Sequence, residues 1–184
     1  MSTIFQGCGT ALLTPFKNGE VDYEAFAATV DWQVEAGIDF LVPLGTTGET
    51  PTLTESEKLQ VLEVCLQHAK GRPVVAGVGS NSVKATLDNM RLLQDADAFL
   101  VVVPFYNKPP QRGMYEYFKT IAGSTDKPVI LYNVPGRTGS NLEAKTTPGP
   151  GPGREEHRGH QGGFRQFQPD QRDPGRPSGR FQRA

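Results

Sequence analysis

Residues 99–107 read FLVVVPFYN, and this stretch indicates the fold of most of the chain. Five consecutive apolar residues without alternation are typical of a strand buried on both faces, as happens when helices cross over between parallel strands. The polar pair Tyr106 and Asn107 follows after Pro104 and Phe105, close to where that strand would end. The stretch therefore predicts a parallel α/β sheet with polar side chains at the carboxyl ends of its strands.

Four further apolar runs have the same character, and helix-like stretches separate them. The runs are Thr10–Thr14, Phe40–Leu44, Val74–Val78 and Val129–Tyr132. The predicted helices run from an Asp22 cap to about Ala36, from a Thr54 and Glu57 capping box to Ala69, from Ser82 to Gln94, and from Gly113 to Gly123. Such alternation allows an open doubly wound sheet or a closed barrel.

Two observations favour the barrel. The phosphate-binding pattern GxGxxG is absent after the first strand, and polar residues instead follow several different strands. A complete (β/α)8 TIM barrel typically needs about 250 residues. The sequence therefore predicts an α/β protein whose residues 1–145 form a TIM barrel truncated after about five strands.

The remainder, residues 146–184, has a different composition. It has no Val, Ile, Leu, Met, Tyr or Trp, and Gly, Pro, Arg and Gln dominate it. Residues 1–145 carry 12 Lys and Arg against 16 Asp and Glu, whereas the tail carries 7 Arg against 4 acidic residues. Such a segment buries too little apolar surface to offset its conformational entropy, so we expect a disordered tail.

Composition also bears on partners and location. The net charge of −1 gives no global sign of a nucleic-acid or membrane partner. No basic segment precedes an apolar run at the N-terminus, and no apolar run reaches the roughly 20 residues of a membrane helix. Cys8 and Cys65 are isolated, which predicts reduced thiols in a cytoplasmic protein and no metal site.

Three polar motifs follow predicted strands. They are GTTGE (45–49), PFYNKPPQ (104–111) and YNVPGRTG (132–139). Taken singly, a turn with a capping Thr, a packed Tyr or a surface Arg explains each of them. Their shared position at strand ends strengthens the alternative, an active site assembled from several loops.

Together the three motifs resemble the dihydrodipicolinate synthase family over about residues 1–145. The resemblance implies an enzyme of lysine biosynthesis, a lyase that condenses pyruvate, bound as a Schiff base, with aspartate 4-semialdehyde. It implies no cofactor and a homo-oligomeric full-length parent. Related pyruvate aldolases such as N-acetylneuraminate lyase share the barrel and the first motif, and the PGRTG segment favours the synthase.

The resemblance also implies roles for five residues. Thr47 matches the position that holds the pyruvate carboxylate, and Tyr132 matches the group that gives and takes protons at the imine. Thr46 and Tyr106 match a proton relay, in which this Tyr reaches across a dimer interface. Arg137 matches the contact to the carboxylate of aspartate semialdehyde.

The Schiff-base lysine of the family has no counterpart in this chain. The family carries it on the sixth strand, in a segment close to VGIKEASGN, and no such segment follows Tyr132. None of the eight lysines lies inside an apolar strand, where desolvation would lower the pKa of an amine. We therefore expect the chain as written to be inactive.

A shifted reading frame accounts for the missing strand. If each codon of residues 156–167 is rebuilt from the last two bases of one codon and the first base of the next, one permitted reading is NIVGIKEASGN. We therefore interpret residues 146–184 as out-of-frame translation. The alternative to a frameshift is a genuine Arg/Gly/Pro tail that contacts RNA. For the chain as written, we expect a non-catalytic fragment whose open sheet edges make it poorly soluble or partly unfolded.

Overall fold

The computed structural model describes residues 5–146 in full and the backbone of residues 164–167. The helices are α1 (Tyr23–Glu35), α2 (Glu55–His68), α3 (Val83–Leu92), α4 (Gln111–Ala122) and the single turn α5 (Pro135–Thr138). The strands are β1 (Gly9–Ala11), β2 (Phe16–Lys17), β3 (Glu20–Val21), β4 (Phe40–Val42), β5 (Val75–Gly77), β6 (Ala98–Val102), β7 (Val129–Tyr132) and β8 (Phe164–Phe167). Short 3-10 turns occupy Thr46–Gly48, Thr50–Thr52 and Ala144–Thr146.

Six of these strands form one parallel row. β1 pairs with β4, a single bridge between Leu41 and Val74 joins β4 to β5, and β5, β6, β7 and β8 then pair in sequence order. β2 and β3 form a separate antiparallel hairpin, which the sequence did not indicate. The five predicted strands and the helices between them are confirmed, and the parallel order is that of a (β/α) barrel.

Local side-chain chemistry sets the starts of the helices. The Asp22 carboxylate accepts a hydrogen bond from the Ala25 N–H at 2.9 Å and caps α1. At the start of α2, the Glu57 N–H donates to Thr54 Oγ1 at 3.3 Å and the Thr54 N–H donates to Glu57 Oε2 at 2.7 Å. These bonds satisfy amide donors that have no partner within the helix, so the helices begin where the sequence predicted.

The parallel strands bury both of their faces. One face packs against the helices, where Phe26 of α1 and Phe118 of α4 are almost fully buried beside Leu41, Val101 and Leu131. The opposite face forms a second cluster, made of Phe5, Phe40, Val42, Val75, Ala98 and Ile130. This two-sided burial is the physical reason for apolar runs without alternation.

The tail contains one difference from the expected disorder. Phe164–Phe167 forms β8, which pairs in parallel with β7, with Val129 opposite Phe164 and Tyr132 opposite Phe167. The edge of β7 presents unpaired backbone groups, and almost any sequence can satisfy them because parallel pairing uses only N–H and C=O groups. The rest of the predicted disordered tail, residues 147–163 and 168–184, lies outside the described residues, as does most of the second-frame segment.

The described helices are shorter than the thickness of a bilayer requires. Within residues 5–146, no helix is both long and apolar enough to cross a bilayer. In the same part of the chain, no group of three or more His, Cys, Asp and Glu side chains could hold a metal ion.

Candidate active site

Three loops leave the carboxyl ends of β4, β6 and β7, and they contain the three polar motifs. Because parallel strands all point the same way, these loops meet at one edge of the sheet. The five predicted site residues lie in this region: Thr46, Thr47, Tyr106, Tyr132 and Arg137.

The GTTGE turn after β4 is tied to its neighbours through backbone carbonyls. Thr14, which is buried, donates its hydroxyl to the Gly48 carbonyl at 2.8 Å, and Thr50 donates its hydroxyl to the Gly45 carbonyl at 3.0 Å. The Gly48 N–H also donates to the Gly45 carbonyl at 3.0 Å. The turn is therefore rigidly held.

Two predicted site residues lie on this turn, Thr47 for the pyruvate carboxylate and Thr46 for the proton relay. Thr46 and Thr47 are both exposed, and they are consecutive residues of the 3-10 turn Thr46–Gly48. Their hydroxyls are thus available to a ligand on a backbone that is already ordered. Such preorganisation lowers the entropic cost of binding.

A close approach of two strand ends supports the same turn. The Gly77 N–H of β5 donates to the Pro43 carbonyl at 3.0 Å, and a Cβ on Gly77 would lie 2.0 Å from the Leu44 carbonyl oxygen. Only glycine fits there, because the clash involves backbone atoms that cannot move aside. The position of the GTTGE turn thus depends on a glycine of the next strand.

The loop after β6 holds Tyr106 in an unusual conformation. Tyr106 has a φ of 69°, and the residue is 88 % exposed. A bulky residue in the left-handed region is strained, and such strain is concentrated at functional sites. The Tyr106 N–H donates to the Thr138 carbonyl at 3.3 Å, so this loop is attached to the loop after β7.

A buried hydrogen-bond network holds the neighbouring loop, which follows β5 and contains Ser80 and Asn81. The Tyr117 hydroxyl donates to the Ser80 carbonyl at 2.6 Å and lies 2.9 Å from the Thr86 hydroxyl, which accepts from the Ser80 N–H. Burial raises the pKa of Tyr117 to about 12, so this phenol stays protonated as a donor. The Asn107 side-chain amide then donates to the Asn81 carbonyl at 3.3 Å, which links the two loops.

The loop after β7 is organised around Asn133, which is only 1 % exposed. Its amide nitrogen donates to Asn141 Oδ1 at 3.0 Å and to the Leu142 carbonyl at 3.2 Å, and its Oδ1 accepts from the Leu142 N–H at 3.1 Å. Between these anchors, α5 carries the exposed Arg137. Asn133 thus closes the loop that presents Arg137.

Tyr132 is the last residue of β7 and is half-buried. Its carbonyl accepts a hydrogen bond from the Val103 N–H at 2.9 Å, which continues the pairing of β6 with β7 to the edge of the sheet. The backbone that carries the Tyr132 phenol is therefore fixed by the hydrogen bonds between β6 and β7.

One pocket of about 580 Å³ lies between the loops after β6 and β7. Its lining residues are Phe105, Tyr106, Lys108, Gly136, Arg137, Thr138 and Gly139. The structure thus brings Tyr106 and Arg137 together in one pocket. Thr46, Thr47 and Tyr132 do not line it, although they share the same edge of the sheet.

Thr14, Asn133 and Lys108 are not among the predicted site residues. Thr14 and Asn133 act through buried hydrogen bonds, and those contacts have no signature in the order of residues, although Asn133 lies within the quoted motif YNVPGRTG. Lys108 lies within the quoted motif PFYNKPPQ, which was the available signal.

All eight lysines lie within residues 5–146, and none of them is buried. Lys58 and Lys127 are half-buried and the others are exposed. Lys17 belongs to β2, but both residues of that strand are exposed, and it pairs in the antiparallel hairpin and not in the parallel sheet. None of them lies on a strand of the parallel sheet.

The fold and the site together define a partial (β/α) barrel with a multi-loop site at the carboxyl ends of its strands. Residues 4–148 match the sequence model of the dihydrodipicolinate synthetase family. The chain therefore belongs to this family.

Named relatives agree with this assignment. The chain is similar to 4-hydroxy-tetrahydrodipicolinate synthase of Nitratidesulfovibrio vulgaris, with 51% identity over 145 residues, which cover 77% of this chain and 50% of that protein. The synthase of Parabacteroides distasonis is 51% identical over 146 residues, 77% of this chain and 49% of that protein. The chain thus spans about half the length of the curated relatives that it matches.

Solved structures show the same pattern. The dihydrodipicolinate synthase of Thermotoga maritima superimposes on this chain with a TM-score of 0.76 at 44% identity. The superposition covers 78% of this chain and 50% of the Thermotoga chain. The enzyme from Aquifex aeolicus gives a TM-score of 0.73 at 47% identity, with coverage of 77% and 50%.

Proposed function

We propose that residues 5–146 are part of a 4-hydroxy-tetrahydrodipicolinate synthase, which condenses pyruvate with aspartate 4-semialdehyde. The observation that carries the proposal is the convergence of GTTGE, the Tyr106 loop and the Arg137 turn at one edge of a sheet, in a chain of this family. The full-length parent is a homo-oligomeric, cytoplasmic enzyme that needs no cofactor.

In this proposal each site residue has a defined task. The Thr47 hydroxyl and nearby backbone N–H groups bind the pyruvate carboxylate, and the Arg137 guanidinium binds the carboxylate of the second substrate. An imine withdraws electrons better than a ketone does, so an enamine forms near neutral pH and attacks the aldehyde. Tyr132 donates and accepts protons at the imine, and Thr46 and Tyr106 relay them to solvent.

The exposure of Tyr106 supports an oligomer. A strained backbone holds Tyr106 in a position where the residue is 88 % exposed, so its phenol is accessible to a second copy of the chain. In the proposed parent, this side chain enters the site of a neighbouring subunit and completes its relay.

The chain as written is proposed to lack the imine-forming amine, because a frameshift replaces the strand that carries it. The family match ends at residue 148, close to the change in composition, which supports a break at that point. In the second frame, the codons of Gln161 and Gly162 permit a lysine.

The proposal is tested by trapping the imine. The 184-residue chain is incubated with pyruvate and borohydride and then weighed, beside the protein that continues in the second frame after about residue 146. We expect a pyruvyl adduct only on the second protein, at its lysine in the strand after β7. An adduct on the 184-residue chain, or a second frame interrupted by stop codons, would contradict the proposal. Condensation of pyruvate with aspartate 4-semialdehyde by the second protein distinguishes the synthase from other pyruvate aldolases.

A further inference from the structure

Lys108 lies at the same turn as Arg137. A Cβ added to Gly139 would be 2.8 Å from Lys108 Cε and 3.5 Å from Lys108 Nζ, so the end of the lysine side chain covers this glycine. Gly139 ends α5 with a φ of 66°, two residues after Arg137. The ammonium group therefore reaches the turn that carries the guanidinium.

The backbone of the lysine loop directs the side chain there. Lys108 has a φ of 43°, the second strained residue in this loop beside Tyr106. The hydrogen bond from the Tyr106 N–H to the Thr138 carbonyl holds the two loops together at 3.3 Å. Strain of this kind persists only where the surrounding structure imposes it, so the placement of Lys108 is specific.

The charges around the pocket are of one sign. Lys108 and Arg137 both line it, and none of its seven lining residues is acidic. Neither cation forms an ion pair with any residue that the structure describes, whereas Lys84 pairs with Asp88 at 2.6 Å. Two uncompensated positive charges facing one pocket favour an anion within it.

We propose that Lys108 is a second cation of this pocket and binds, together with Arg137, a carboxylate group of the ligand. The planar guanidinium sets the orientation of the carboxylate, and the ammonium group adds a point charge without a fixed geometry. In the proposed function this carboxylate belongs to the second substrate, and to that extent the inference rests on the proposed function. It makes Lys108 a specificity-determining residue that favours charged over neutral ligands.

The test measures carboxylate binding without catalysis. The full 184-residue chain is labelled with 15N and titrated with butyrate, while the amide signals of Gly136 and Gly139 are followed. The neutral butyramide is the matched ligand. We expect butyrate to shift both signals and butyramide to leave them in place.

Three variants then isolate the charge of Lys108. Lys108→Gln keeps a stem that covers Gly139 and should weaken butyrate binding about 3- to 5-fold at low salt, with a smaller loss at high salt. Lys108→Arg should restore the affinity to within about 2-fold. Lys84→Gln, which removes an exposed charge on α3, is the control and should have no effect. Each variant should retain the wild-type amide spectrum outside the pocket.

The outcomes separate this inference from the proposed function. If Arg137→Gln abolishes binding and Lys108→Gln matches the Lys84→Gln control, the role of Lys108 is wrong and the role of Arg137 stands. If butyrate does not shift the two glycine signals, or if Arg137→Gln leaves binding intact, the carboxylate site itself is wrong. A loss with Lys108→Gln that salt does not reduce would indicate a steric effect and would also overturn the proposal.

Discussion

Replacing Asn133 with Ala is the sharpest test of how the Arg137 turn is held. Asn133 is 1 % exposed and makes three side-chain hydrogen bonds, two with Leu142 and one with Asn141. Each such bond contributes about 1 kcal/mol net, and the variant also leaves the buried Leu142 N–H without its partner. We expect the free energy of unfolding to fall by about 3 kcal/mol.

The assay combines a global and a local measurement. Urea denaturation of the full chain, followed by far-UV circular dichroism, gives the free energy of unfolding, and hydrogen exchange gives the opening of the Leu142 amide. Asn107→Ala is the matched control, because Asn107 is exposed and its side chain makes one 3.3 Å bond to the Asn81 carbonyl. That variant should lose less than about 1 kcal/mol.

The Leu142 amide and the Asn107→Ala control decide whether Asn133 closes the loop. If Asn133→Ala costs no more than Asn107→Ala, and the Leu142 amide exchanges at its wild-type rate, then Asn133 does not close the loop. A large global loss with unchanged exchange at Leu142 relative to the rest of the chain would point to general core damage instead.

Two further predictions concern the supports of the other loops. Thr14→Val removes the hydroxyl that binds the Gly48 carbonyl but keeps the shape of the side chain. The free energy of unfolding in urea should fall by about 1–2 kcal/mol, and hydrogen exchange of the Gly48 amide should become faster. Unchanged exchange at Gly48 would exclude Thr14 as a support of the turn. Burial raises the pKa of Tyr117 to about 12, above its usual value of 10.0, so the folded state holds this proton more tightly than the unfolded state does. The contribution of this proton to the free energy of unfolding is fully present below about pH 10 and is lost as the pH rises towards about 12. The free energy of unfolding should fall by roughly 3 kcal/mol across this range. Tyr117→Phe should remove this component of the pH dependence, and an identical alkaline profile in the variant would contradict the assignment.

The parallel sheet and its helices could be predicted from the residues because local signals agreed with the global fold. Apolar runs such as 99–103 have to be buried on both faces, and caps such as Asp22 and Thr54 satisfy amides within three residues. The site motifs could be found for the same reason, since each follows directly after a strand. The β2–β3 hairpin and α5 escaped because elements of two to four residues produce no measurable periodicity.

The order of residues by itself determined the alternation of strands and helices, the three motifs, the change in composition near residue 146 and the lack of a lysine within an apolar run. It did so because burial, capping and composition are properties of short segments. Only the tertiary structure decided that Tyr106 and Lys108 adopt strained conformations and that Lys108 covers Gly139 beside Arg137. Those features depend on contacts between loops about 30 residues apart in sequence, and only the packing of parallel strands brings such loops to one edge.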